Sequence, residues 1–125
     1  MSKRIFISFA VEDVTFRDFL VGQSKHEHCP FEFVDMSVKE PWDNSWKTKC
    51  RTRIKGCDGV IALLSKNSAK ADGAIWEMKC AVEEKVPVLP VQIYKDDKCP
   101  VPSVLGETLD IEWGWNGIKA FIDSI

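Results

Sequence analysis

The sequence predicts an α/β domain of flavodoxin-like type: a five-stranded parallel sheet in the order 2-1-3-4-5, with helices on both faces. Three observations predict it. Residues 4–9, 59–64 and 87–93 form apolar runs without regular polar alternation, the mark of strands buried on both faces. Between such runs lie segments of about a dozen residues whose apolar positions recur at helical spacing. The chain has 125 residues, 45% hydrophobic and 29% charged, which suffices for one core and is too little for two, so residues 1–125 read as a single domain.

Strand one covers residues 4–9 and delivers Ser8, Phe9 and Ala10 to its carboxyl end. Asp13 is placed to cap the helix that follows, where Phe16, Phe19, Leu20 and Gln23 define one face. A polar loop over 24–30 leads to strand two, 31–36, with Asp35 at its end and Ser37, Pro41 and Trp42 in a turn-rich loop. Asp43, Asn44 or Ser45 caps the second helix, which sets Trp46, Cys50, Ile54 and Cys57 on its core side. Lys47, Arg51 and Lys55 make a basic stripe elsewhere on that helix, either a solvated face or a phosphate contact. Gly56 ends the helix and 59–64 is strand three.

After Ser65 and Asn67 a helix is predicted with Ala71, Ile75, Met78 and Val82 as its core stripe. Glu77 falls at the margin of that stripe. Ala74 and Ala81, one turn to either side, are small, which leaves the carboxylate room and partial shelter, as a cleft residue has. Residues 87–93 form strand four. Pro100 and Pro102 make 95–106 a loop with one helical turn around 103–105, and 109–113 is a weak fifth strand. Trp115, Ile118, Ile122 and Ile125 then repeat at helical spacing to close the chain.

Several function classes are excluded by composition. A net charge of −2 supplies no basic field for nucleic acid, and no apolar run approaches the roughly 18 residues of a membrane span. Five cysteines, Cys29, Cys50, Cys57, Cys80 and Cys99, without a CxxC pair read as free thiols in a reducing cytoplasm. His26, His28 and Cys29 could converge on zinc but lack a fourth ligand at a familiar spacing, so no metal or other cofactor is expected. There is no phosphate-cradling glycine loop and no GxSxG turn. A phospho-accepting receiver needs an aspartate ending strand three, where this chain has Ser65.

In the predicted strand order the crevice opens at the carboxyl ends of strands one and three. That selects Phe9, Ala10, Asp35, Ser37, Ser65 and Asn67, with Glu77 facing the same crevice and Ser8, Trp42, Trp46 and Trp76 available around it. A sugar glycosidase needs two carboxyl groups because its leaving group must be protonated. Nicotinamide leaves NAD as a neutral molecule, so one carboxylate beside the ribose can stabilise the oxocarbenium-like transition state without a general acid. Aromatic faces could stack on nicotinamide or adenine, and small polar side chains orient ribose and phosphates. The inventory permits cleavage of an N-glycosidic bond, although each tryptophan equally suits a core.

The stretches RIFISFAVED, DMSVKEPWDNSW, IKGCDGVIALLSKNS and WEMKCAVEEKVPVLPV, taken in order, resemble TIR domains, above all the small bacterial TIR-like proteins of the Thoeris antiphage system. The resemblance spans residues 4–93. It implies that Glu77 is the catalytic residue of NAD cleavage, that Phe9 lines the nicotinamide pocket, and that Trp46 lies near the ribose. It also implies that residues 35–43 form the loop controlling access and self-association. The activities it implies are hydrolysis of NAD to nicotinamide and ADP-ribose, cyclisation to cyclic ADP-ribose isomers, and production of an ADP-ribose-derived signal for a separate effector protein. A bare domain fits the last of these best. One departure from the family pattern is Gly73, where many TIR domains have tryptophan four residues before the glutamate; here Trp76 adjoins Glu77 instead. The alternatives are a non-catalytic TIR adaptor acting by TIR–TIR assembly, and a related N-glycosidase acting on nucleosides.

Overall fold

The computed structural model describes residues 3–26, 31–34, 44–106 and 108–125. The strands are β1 (Lys3–Ser8), β2 (Phe31–Val34), β3 (Gly59–Leu64), β4 (Val88–Gln92) and β5 (Ile111–Glu112). They form one parallel sheet in the order β2-β1-β3-β4-β5, the order expected from the sequence. The helices are α1 (Val14–His26), α2 (Asn44–Lys55), α3 (Lys66–Lys70), α4 (Asp72–Glu83) and α5 (Trp115–Ser124), with 3-10 turns at Val11–Asp13 and Ser103–Leu105.

The central strands lack polar alternation because both of their faces are covered. On one side Ile5, Ile7, Ile61, Leu63 and Val91 pack with Leu20 of α1 and with Trp115, Ile118 and Ile122 of α5. On the other, Phe6 and Val60 meet Trp46, Cys50 and Ile54 of α2 and Cys80 and Ala81 of α4, while Ala62 and Leu64 meet Ala74 and Met78. The core-side residues expected for α2 are all buried. In the pairing of β1 with β3, Ser8 stands opposite Ala62, a hydroxyl at the end of an otherwise apolar row.

The structure corrects the predicted faces of two helices. On α4 the buried residues are Gly73, Ala74, Glu77, Met78, Cys80 and Ala81; Ala71 and Ile75 are half-buried and Val82 is 47% exposed. Glu77 therefore lies in the middle of the buried face, not at its margin. The reason is steric: Gly73, Ala74 and Ala81 are short, so this face lets the helix lie closest to the sheet and bury the most. On α1, Leu20 and Ser24 are buried and Phe16 and Gln23 half-buried, but Phe19 is 61% exposed, its ring edge-on to Phe16 at 6.3 Å.

The single helix expected after strand three is two. Ser65 caps α3 by accepting from the backbone N–H groups of Asn67 and Ser68, and Ser68 accepts in return from the Ser65 N–H. The chain then leaves helical geometry at Ala71 (φ −91°, ψ 104°) and restarts as α4. The 3-10 turn at 103–105 falls where it was expected, whereas β5 spans two residues, with Leu109 exposed before it. Cys50, Cys57, Cys80 and Cys99 are free and buried; Cys29 and His28 lie outside the described residues. Among the described residues no three His, Cys, Asp or Glu side chains group as a metal site, and no helix is long and apolar enough to cross a membrane.

Candidate active site

Glu77 projects from α4 toward the end of β1 and is fully buried, more enclosed than the partial shelter expected from the sequence. Ser8 Oγ donates to Glu77 Oε1 at 3.0 Å and also lies 3.2 Å from the Ala74 carbonyl oxygen. The Cys50 thiol of α2 faces Glu77 Oε2 at 3.9 Å. Three elements thus converge on one carboxyl group. A hydroxyl at the end of a strand buried on both faces needs a polar partner, and the carboxylate is that partner.

Trp46, one turn before Cys50 on α2, is buried with Phe6, Cys80 and Ala81 in the same layer. Its ring meets Trp76 edge-on, centroids 5.3 Å apart and planes at 61°. Trp76, one residue before Glu77, points about 100° away round the helix. Its indole lies beneath the Arg51 guanidinium, 5.6 Å from the ring centroid. Arg51 in turn donates to Glu84 Oε2 at 2.6 Å and Glu83 Oε1 at 2.9 Å. These two bonds hold the guanidinium well above its ordinary pKa, and the same contact with Arg51 lowers Glu83. Burial pushes the Cys80 thiol up.

A second polar cluster joins the carboxyl ends of β1 and β3. Asp13 is buried and accepts from Ser65 Oγ on one oxygen and from Asn67 Nδ2, at 3.0 Å, on the other. It therefore ties the start of α3 to the segment after β1 and does not cap α1 as expected. Phe9 and Ala10 are buried nearby in sequence, but Phe9 packs with Ile7 and Leu20 in the opposite layer from Trp46 and Cys50, under the Arg17 guanidinium at 5.4 Å.

The predicted site residues therefore fall into groups. Ser8 and Glu77 touch, with Trp46 and Trp76 as one wall; Ser65 and Asn67 belong to the Asp13 cluster; Phe9 and Ala10 lie at the end of β1; Asp35, Ser37 and Trp42 lie outside the described residues. Cys50 and Asp13 were not among the predicted site residues. The signal for Cys50 was its spacing one turn after Trp46 on the face that meets α4. For Asp13 it was an acid after strand one in a fold that brings the end of strand three alongside.

In sequence, no curated protein matches the chain. Among solved structures it is similar to the TIR domain of the Toll-related receptor TRR-2 from Hydra magnipapillata, with a TM-score of 0.67 and 16% identity over 96% of this chain and 91% of that one. It is similar also to a prokaryotic SEFIR domain (TM-score 0.61, 12% identity, 98% and 95% covered). The CMP N-glycosidase BcmB of Clostridium botulinum shares the fold as well, with a TM-score of 0.57 and 15% identity over 98% of this chain and 97% of that one. The family described as Thoeris protein ThsB, TIR-like domain, matches residues 6–98, which takes in the second half of β1 with Ser8, and Trp46, Trp76 and Glu77. The parallel five-stranded sheet and this match agree, and the chain belongs to the ThsB TIR-like domain family.

Proposed function

We propose that the protein cleaves the bond between nicotinamide and ribose in NAD, with Glu77 as the catalytic residue. The observation that carries this reading is the fully buried carboxylate at the carboxyl end of β1, held by the Ser8 hydroxyl. In such surroundings a carboxylate acts strongly on positive charge that develops beside it. As the C–N bond breaks, its electron pair leaves with nicotinamide, which departs neutral, and the positive charge moves onto the ribose. Glu77 stabilises that charge; Ser8 fixes the orientation of Oε1. Water or a hydroxyl then bonds to the ribose carbon and releases its proton to solvent, or a ring nitrogen bonds through its lone pair and takes on the positive charge.

Trp46 supports the pocket as a wall against which a ring or ribose can pack, and Trp76 backs it. Phe9, Ala10, Asp35, Ser37, Trp42, Ser65 and Asn67 are proposed as further NAD-binding residues from the strand order and the family resemblance; Phe9 and Ala10 are buried, so their contact with NAD requires the end of β1 to open. The ADP-ribose-derived product is proposed to signal to a separate effector protein, with self-association of the TIR domain a further element of that reading. No cofactor enters this chemistry; NAD is the substrate.

The test is incubation of the purified protein and its Glu77→Gln variant with NAD, reading nicotinamide release and nucleotide products by chromatography and mass spectrometry. Release by the wild type alone supports the reading, and product mass separates hydrolysis, cyclisation and conjugation. Release of cytosine from CMP in place of nicotinamide from NAD would favour the nucleotide N-glycosidase reading suggested by the name of the Clostridium enzyme. No release from either substrate at high protein concentration would favour the adaptor.

A further inference from the structure

The outer face of α2 carries more positive charge than the Glu77 chemistry uses. Five of the chain's lysines and arginines, Lys47, Lys49, Arg51, Arg53 and Lys55, lie on this helix with no acidic residue, in a chain of net charge −2. Three of them, with Thr48, Thr52 and Trp76, line an open groove of about 420 Å³. That volume falls within the range of small-molecule sites. The groove lining does not include Glu77, which is fully buried.

We propose that this groove binds a nucleotide carrying two phosphates, the diphosphate lying between Lys47 and Lys55 and the base against Trp76. Three features support it. Lys47 and Lys55 are two turns apart on one face, about 12 Å along the axis, a span two flexible lysine stems can close around a diphosphate. Between them Arg51 is fixed by Glu83 and Glu84 and laid over the Trp76 indole, so the centre of the groove is rigid before any ligand arrives. Thr48 and Thr52 line the same groove, the Thr52 hydroxyl donating to the Thr48 carbonyl at 3.0 Å, so the wall between the cations is polar.

The same features favour a small anion over a polyanion. The basic stripe is one helix face long, and Glu83 and Glu84 are bonded to Arg51 at its centre, so a long run of phosphates would meet carboxylates along the stripe. A ligand of two phosphates needs only Lys47 and the loosely paired Lys55. Lys55 is 3.9 Å from Glu84 and 62% exposed in its side chain, a loose pair that a phosphate can displace.

The test is titration calorimetry with ADP, inorganic pyrophosphate and adenosine on the wild type and on the K47E/K55E double variant, with circular dichroism as the control for folding. ADP is expected to bind the wild type, to bind the double variant about tenfold more weakly or worse, and to weaken steadily with added salt. The salt series needs no variant, so it stands if the double variant fails to fold. Absence of ADP binding, or binding unaffected by salt and by K47E/K55E, overturns the proposal. Equal affinity for pyrophosphate and ADP overturns its nucleotide part. ADP binding lost in Glu77→Gln but kept in K47E/K55E would assign the ligand to the Glu77 pocket and likewise overturn it. None of these readings depends on turnover of NAD.

Discussion

At Glu77 a carboxyl group without solvent contact is held by the Ser8 hydroxyl and faced by the Cys50 thiol. Glu77→Gln keeps the volume and an oxygen for Ser8, so it is expected to abolish nicotinamide release while moving the melting temperature by no more than about 4 °C, roughly 1 kcal/mol for a domain of this size. A larger fall would make Glu77 a structural residue first. Asp13 is the contrasting case. Asp13→Ala leaves Ser65 and Asn67 without their acceptor and should lower stability by about 2–4 kcal/mol in urea unfolding. If stability is unchanged, the cluster does not tie the strand ends together. The predicted strand order brought Glu77 to the crevice at the end of strand one, where Ser8 lies, but helical spacing put Glu77 at the margin of its face, whereas the structure buries it at the centre. Asp13 was read as a cap because capping is a local pattern, whereas its actual partners come from more than fifty residues away.

Among the elements, the end of α4 shows how a helix stops without glycine. Val86 N–H reaches the Ala81 carbonyl and Lys85 N–H the Val82 carbonyl, which requires Lys85 at φ 58°. Lys85→Gly relieves that conformation and should raise stability by about 0.5–1 kcal/mol; a loss in the same unfolding assay would contradict it. In β3, Ile61 is fully buried between layers, and Ile61→Ala should lower stability by roughly 2–5 kcal/mol through the cavity it leaves. An unchanged melt would count against that burial. The strand runs were easy to read because burial on both faces leaves no alternative pattern. The face of α4 was not. Ranking its residues by hydrophobicity favoured Ile75 and Val82, but closeness to the sheet is set by size, and Gly73, Ala74 and Ala81 are the residues that permit it.

For the molecule as a whole, strand order followed from alternation of strand and helix together with the rule for parallel crossovers, and both act over the entire chain. The buried thiols give the fold a pH limit. Burial pushes Cys57 from 9.0 up to about 11 and raises Cys80 and Cys99. Above about pH 9 the unfolded thiols ionise while the folded ones stay protonated, so this contribution to stability is complete below pH 9 and is lost as pH climbs toward 11. Urea midpoints should fall over that interval, and Cys57→Ala should flatten the decline. The complete burial of Glu77 bears on time as well as energy. Encounter with a ligand and contact with the carboxylate are separate events, since the walls must part between them. In rapid mixing, the observed rate should therefore level off with ligand concentration at a value set by the protein's own motion, and the apparent affinity should be weaker than the intrinsic one by the fraction of time the pocket stands open.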